Sequence, residues 1–210
     1  MRFVVLVFVG LCALRGEIVD RIAITIDQRV ITEAQLDEEI RVTAFLNQEP
    51  IRRDLDTRRN AADRLIEQEL VRRDMDLSRY PMPTQSEIDT LLADTKQQIG
   101  ADRFLTQLPQ YELTEDILRE HLRFQLMMLR FIDFRFRPDI QISESDVKEY
   151  YAQQIEKWKA SHTGTPPSFD QSRPAIQKAL TDQRVEYALS AWLEETRKQV
   201  KIIYLDKELA

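Results

Sequence analysis

Apolar and polar residues alternate between Asp20 and Ile26, which predicts a strand with Ile22, Ile24 and Ile26 on one face. Asp27-Gln28 can form a tight connection, after which Arg29-Val30-Ile31 returns as a short second strand. A lone hairpin is marginal in water and needs a third strand or a helix against it. The only other β-like run is Val200-Lys201-Ile202-Ile203-Tyr204-Leu205, at the far end. Pairing of the first segment with the last would tie the termini into one small sheet.

Between these segments the pattern takes the helical period. It predicts helices near 33–47, 57–77, 85–99, 115–137, 144–160 and 172–199, with a short turn near 102–108. Thr32 before Gln35, Thr84 before Glu87 and Ser143 before Asp146 have capping-box spacing or its acidic variant, so each hydroxyl can accept an orphan N–H of the first turn. Thr114, followed by Glu115 and Asp116, is a fourth cap. Gly100 fits a helix stop, and Tyr80-Pro81-Met82-Pro83 is a linker that neither neighbouring helix can cross. The second helix carries Ala62, Leu65, Ile66 and Leu70 on one side. The last carries Ile176, Ala179 and Leu180, then Val185, Ala188, Leu189 and Trp192. From Phe124 to Phe136 the apolar residues run nearly all round, so this helix is either central to the core or presents apolar surface to something else. The fold class is therefore mostly α, a multi-helix body with a small sheet made from an N-terminal hairpin and a C-terminal strand.

Residues 1–16 follow a different pattern. A short positive start, Met1-Arg2, precedes an uncharged apolar run over 3–14, and Arg15-Gly16-Glu17 restores polarity. Twelve residues suit the core of a secretory signal and are short for a membrane span, which needs about 20. An uncleaved anchor or a misplaced start is the alternative. Cys12 follows the bulky Leu11 where lipid attachment wants a small residue, so lipidation is the lesser reading. Cleavage after Gly16 would remove Arg2, Arg15 and the single cysteine and take the net charge from -6 to -8. A cysteine-free mature chain suits an oxidising compartment, most simply a bacterial periplasm, with no stable membrane span after cleavage.

Composition narrows the function classes. Thirty Lys+Arg against 36 Asp+Glu argues against general nucleic-acid binding, the arginine pairs at 52–53, 58–59 and 72–73 notwithstanding. With four glycines there is no G-x-G, no phosphate loop and no G-x-S-x-G. His121 and His162 lack a second histidine or a cysteine at ligand spacing. Asp74-Met75-Asp76-Leu77-Ser78 imitates a calcium loop, but Arg79 stands where glycine is required and Gln85 where glutamate is. Carboxylate pairs are spread over every helix and read as solvated faces. No enzymatic constellation, metal site or cofactor is expected.

Residues 18–32, with Val19-Asp20-Arg21-Ile22 leading into Val30-Ile31-Thr32, resemble the hairpin that enters the first helix in the SurA family of periplasmic chaperones. Leu65-Ile66-Glu67-Gln68-Glu69-Leu70 is similar to that family's L-I-x-x-x-L helix, and Ile88 after Pro83-Thr84 looks like the segment that follows. Ile140-Gln141-Ile142-Ser143-Glu144-Ser145-Asp146-Val147 with Tyr150-Tyr151 resembles its I-x-V-S-D-x-E-I-x-x-Y-Y stretch. Residues 176–205, with Trp192-Leu193 and Arg197, look like its C-terminal helix and closing strand. Relatives carry one or two parvulin-type prolyl isomerase domains between the Tyr-Tyr helix and the C-terminal helix. Here residues 160–172 occupy that place, thirteen where a domain needs at least roughly 50.

The resemblance thus implies a chaperone core alone, without isomerase activity. It divides into a leader (1–16) and one helical domain (17–210), the latter comprising an N-terminal part (17–160), a loop in place of the parvulin domain (161–172) and a C-terminal helix and strand (173–210). It implies an ATP-independent holdase whose clients are unfolded or partly folded exported polypeptides, outer-membrane β-barrel proteins foremost. Aromatic and flexible methionine side chains suit promiscuous apolar contacts. The candidates for a client cleft are Phe124, Met127, Met128, Phe131 and Phe134 with Tyr150, Tyr151 and Trp158. For each, plain core burial is the competing reading. An isomerase homologue without activity of its own, and an adaptor for one envelope partner, are the alternative functions.

Overall fold

A computed structural model of the chain describes residues 20–78, 80–161 and 165–210. The expected leader, Cys12, His162 and Gly164 lie outside them. Strand β1 (Ile22–Ile26) is the centre of a three-stranded antiparallel sheet, with β2 (Arg29–Thr32) on one side and β3 (Ile202–Tyr204) on the other. Ile24 is opposite Ile31 on β2 and Tyr204 on β3. The ends are therefore joined as the hairpin pattern and the terminal β-run predict. The face of β1 differs from strict alternation. The register shifts between Ile22 and Ile24, so Ala23, Ile24 and Ile26 are buried while Ile22 is exposed. The Ala23 carbonyl accepts from the N–H groups of Leu205 and Asp206, which anchors the chain just past β3. Asp27, in the left-handed conformation at the hairpin turn, exchanges two bonds with the Lys201 backbone, from its N–H to the carbonyl and from the N–H to its carboxylate.

Seven α-helices follow among the described residues: α1 (Glu33–Asn47), α2 (Leu55–Leu77), α3 (Gln85–Ile99), α4 (Ala101–Gln107), α5 (Glu115–Arg135), α6 (Glu144–Ser161) and α7 (Phe169–Gln199). The four predicted caps all form. Thr32 with Gln35 and Thr84 with Glu87 make reciprocal boxes, Ser143 and Asp146 exchange the same pair of bonds, and the Thr114 hydroxyl accepts from the Ile117 N–H. Two starts escape the pattern. Asp54 caps α2, which starts at Leu55, two residues before the expected position, and a Ser168–Gln171 box starts α7 at Phe169, with Pro174 tolerated in its second turn. The turn expected near 102–108 is α4 continued by a 3-10 turn. Gly100 sits at φ 93°, a conformation that favours glycine, where α3 gives way to α4.

Three buried clusters hold the elements other than α6. The first packs the sheet on α1 and α2 through Ile24, Leu36, Ile40, Ile66 and Leu70, and includes Val200 and Leu209 from the C-terminal segment. In the second, Val42 and Phe45 of α1 meet Leu92, Phe104, Leu118 and Leu122, with Phe45 edge-on to both Phe104 and Tyr111. The third joins the ends of α2 and α5 to α7 through Val71, Met75, Phe131, Phe136 and Val185. Half-buried Trp192 packs against the first and third. Surface arginines fasten the periphery: Arg58 bridges Glu33 and Asp206, and Arg130 joins the Pro81 and Met82 carbonyls and Glu87 to α5. No helix among the described residues is long and apolar enough to cross a membrane.

Deleting residues 200–210 removes β3 and two side chains of the first cluster, each contributing about 1.5–3 kcal/mol when fully buried. The expected outcome is a melting temperature lower by on the order of 10 °C. An unchanged thermal transition would mean that the closing strand carries no stability. A second expectation concerns acid. The Glu87 carboxyl is held down to about 2 by the Thr84 backbone N–H and hydroxyl, and by Arg130. Its contribution is fully present above pH 4.5 and is lost as pH falls toward 2. Glu87→Gln should flatten that part of an acid-unfolding curve followed by circular dichroism.

Candidate functional site

The candidate residues fall on two separate surfaces. On α6, Val147, Tyr150, Tyr151, Gln154, Ile155 and Trp158 recur at three- and four-residue spacing and so form one stripe. Val147 is fully buried, whereas the rest of the stripe is only half-buried. The cause is architectural: α6 packs on α7 and, among the described residues, supplies no side chain to the three buried clusters. A groove of about 480 Å³ results, walled by Tyr150, Tyr151, Ile155 and Trp158 on α6 and by Ala175, Ile176 and Ala179 on α7. Lys157 is the charged side chain among its lining residues. One wall is fixed by Tyr151, whose hydroxyl donates to the Pro167 carbonyl at 2.8 Å and whose ring meets Phe169 edge-on. Arg173–Glu144 and Arg184–Asp146 pairs hold the two helices together outside the groove.

The second surface lies where α5 crosses α1 and α2. A groove of about 410 Å³ is lined by Leu46 of α1, by Arg64, Glu67 and Gln68 of α2, and by Phe124, Gln125, Met128 and Leu129 of α5. Behind it is a smaller, polar recess of about 170 Å³, to which Glu38, Arg72, Glu120, Arg123 and Met127 contribute. Glu39, Gln68, His121 and Phe124 border both. Phe124 is largely buried, stacked beneath the Arg72 guanidinium at 4.5 Å, and meets each cavity at its edge.

Phe131 and Phe134 depart from the expected cleft. Phe131 is fully buried in the third cluster, 5.0 Å from the Trp192 ring and 5.5 Å from Tyr80, so it is core and offers no surface. Phe134, three residues on, is 62% exposed, with its ring in an edge contact with Tyr80. It lines neither groove. The all-round apolar character of α5 thus has two causes: its buried side makes core, and Leu129 and Phe134 face solvent. Of the eight candidates, Phe124 and Met128 border the α1–α2–α5 groove, Met127 the recess, and Tyr150, Tyr151 and Trp158 the α6–α7 groove.

Pattern reading missed the polar junction beneath the second groove. Glu39 is 6% exposed, and its Oε1 accepts from Arg64 Nε at 2.7 Å and from the Thr43 hydroxyl at 3.3 Å. Its Oε2 faces His121 Nδ1 at 3.7 Å. One signal was available: an acid between Leu36 and Ile40 on the apolar stripe of α1 must be either paired or exposed. Nearby, burial pushes the Glu67 carboxyl up, against the pull of Arg197. Among the described residues no group of three or more His, Cys, Asp or Glu could hold a metal ion. Neither a protein-family model nor a curated protein matches the chain.

The Arg64–Glu39 pair makes a stability prediction. Arg64→Ala strands a buried carboxylate without its cation and should cost about 2–3 kcal/mol in urea unfolding. Adding Glu39→Leu should recover most of that loss. A double variant no more stable than Arg64→Ala would show that the arginine acts through packing alone.

Proposed function

We propose that the chain is an ATP-independent holdase of the periplasm, which captures unfolded or partly folded exported polypeptides, outer-membrane β-barrel proteins foremost. One observation carries this reading: the aromatic stripe of α6 is held half-exposed along an open groove instead of being closed into a core. Aromatic side chains left partly open between two helices can serve as a contact surface. Tyrosine and tryptophan present large, stiff apolar faces at low entropic cost, and the groove sets few directional polar groups that would select one sequence. The α1–α2–α5 groove adds a second surface with a flexible methionine, suited to varied side chains. Binding of this kind is reversible and needs no nucleotide.

The resemblance of the hairpin entry, the Tyr-Tyr helix and the closing strand to SurA-type chaperones supports the same reading. Residues 162–168, between α6 and α7, leave no length for a parvulin domain, so isomerisation is not part of the proposal.

The test is light scattering of a diluted, unfolded outer-membrane barrel protein with the chain from Glu17 onward. Suppression at near-stoichiometric ratio is expected, with a proline-isomerisation assay at its background rate. Tyr150→Ala/Trp158→Ala, which keeps the Tyr151–Pro167 bond, should weaken suppression roughly tenfold, about 1.4 kcal/mol, while the helical circular dichroism spectrum is retained. Full aggregation in the presence of the wild-type chain, together with one stable partner on pull-down, would replace the holdase by a dedicated envelope adaptor.

A further inference from the structure

His121 occupies an unusual position on α5. Half-buried, it stands in the wall between the apolar groove and the polar recess, where α5 crosses α1 and α2. Its Nδ1 is 3.7 Å from Glu39 Oε2, beyond hydrogen-bonding reach. The Glu39 carboxylate already has its cation, because Arg64 donates to it at 2.7 Å. A proton on His121 would therefore place a second positive charge beside a neutralised pair. The facing charges are Glu38 and Glu39 from α1, and Arg64, Glu67 and Arg72 from α2; Glu120 and Arg123 flank the recess from α5 itself. Among the described residues no side chain hydrogen-bonds the ring, and the carboxylate that would face an imidazolium, Glu39, is already shared with Arg64.

We propose that His121 is an acid-sensitive latch at the α1–α2–α5 junction, neutral and seated at pH 7, and released toward the water of the two cavities when protonated. The release loosens α5 on α1 and α2 and widens the groove bordered by Phe124 and Met128. This deepens the holdase reading, on which its functional consequence rests: client-binding surface would increase as the medium acidifies. Burial is the largest influence on the ring and lowers its pKa below 6.5; Glu39 pulls it up, Arg64 pushes it further down and Glu38 pulls it up. The sign follows. The folded chain binds fewer protons at this ring than the unfolded chain does, so stability is complete above pH 6.5 and falls as pH drops from 6.5 toward the lower folded value.

The test uses the whole chain and two readouts that involve no client. A pH titration of histidine ring resonances should place His121 below 6.5. Fluorescence of an apolar-surface dye should rise about twofold or more over that transition, with a parallel fall in melting temperature. His121→Gln should abolish the rise, whereas His162→Gln should retain it. A ring midpoint at or above 6.5, or a His121→Gln dye curve that overlays the wild type, overturns the latch. Should His121→Gln fail to fold, the wild-type chain alone decides: dye and ring midpoints that disagree overturn it. A dye transition that follows His121 in a chain unable to suppress aggregation at pH 7.5 and at acid pH would remove the holdase reading and leave the latch standing.

Discussion

The antiparallel pairing of β1 with β3 closes the described chain on itself, and the arrangement of the helices depends on that closure. Ile24 and Tyr204 are opposite one another although 180 residues apart in sequence. Bringing such distant segments together has an entropic cost that grows slowly with loop length. It is offset because β1 is used twice, by β2 on one side and by β3 on the other, and because Val200 and Leu209 enter the same cluster as Ile24, Leu36 and Ile66. α1 then carries the first cluster into the second, through Leu36 and Ile40 at one end and Val42 and Phe45 at the other. α2 carries it into the third, from Ala62 and Ile66 to Val71 and Met75. Two helices thus connect three small cores into one body, and β2 runs directly into the first of them at Thr32.

Helix starts were the most legible feature of the sequence, because a cap is a local event. Thr32, Thr84, Thr114 and Ser143 could be assigned from three or four neighbouring residues, and each accepts the backbone bond its spacing implies. Features set by tertiary contact were not legible. The bulge at Ala23 turns Ile22 outward, against the alternation, through a register shift that no local pattern encodes. The candidate site divides along the same line. Spacing found the Tyr150–Tyr151–Trp158 stripe, but on α5 it could not tell Phe131, which Trp192 covers, from Phe134, which faces water. Both are apolar residues on one helix, and what separates them is a residue some sixty positions away.

The two grooves also differ in how they are built. That of α6–α7 is walled by two helices and keeps its aromatic stripe half-buried. That of α1–α2–α5 has an ionic floor, where a buried carboxylate must keep its guanidinium. Buried charges of this sort add little net stability, but the loss of one partner is costly. They fix how three helices meet more than how tightly.

The position of the α6–α7 connection has a consequence for how the chain can grow. Thr165, Pro166, Pro167 and Ser168 enter none of the three cores, and the main packing partner of α6 is α7. Extra chain spliced in between Ser161 and Thr165 would leave the three cores and the Tyr151–Pro167 bond in place, provided its own ends lie close together. The two-helix arm is thus a ready-made port, at which a whole additional domain can be gained or lost while the body beneath keeps its architecture.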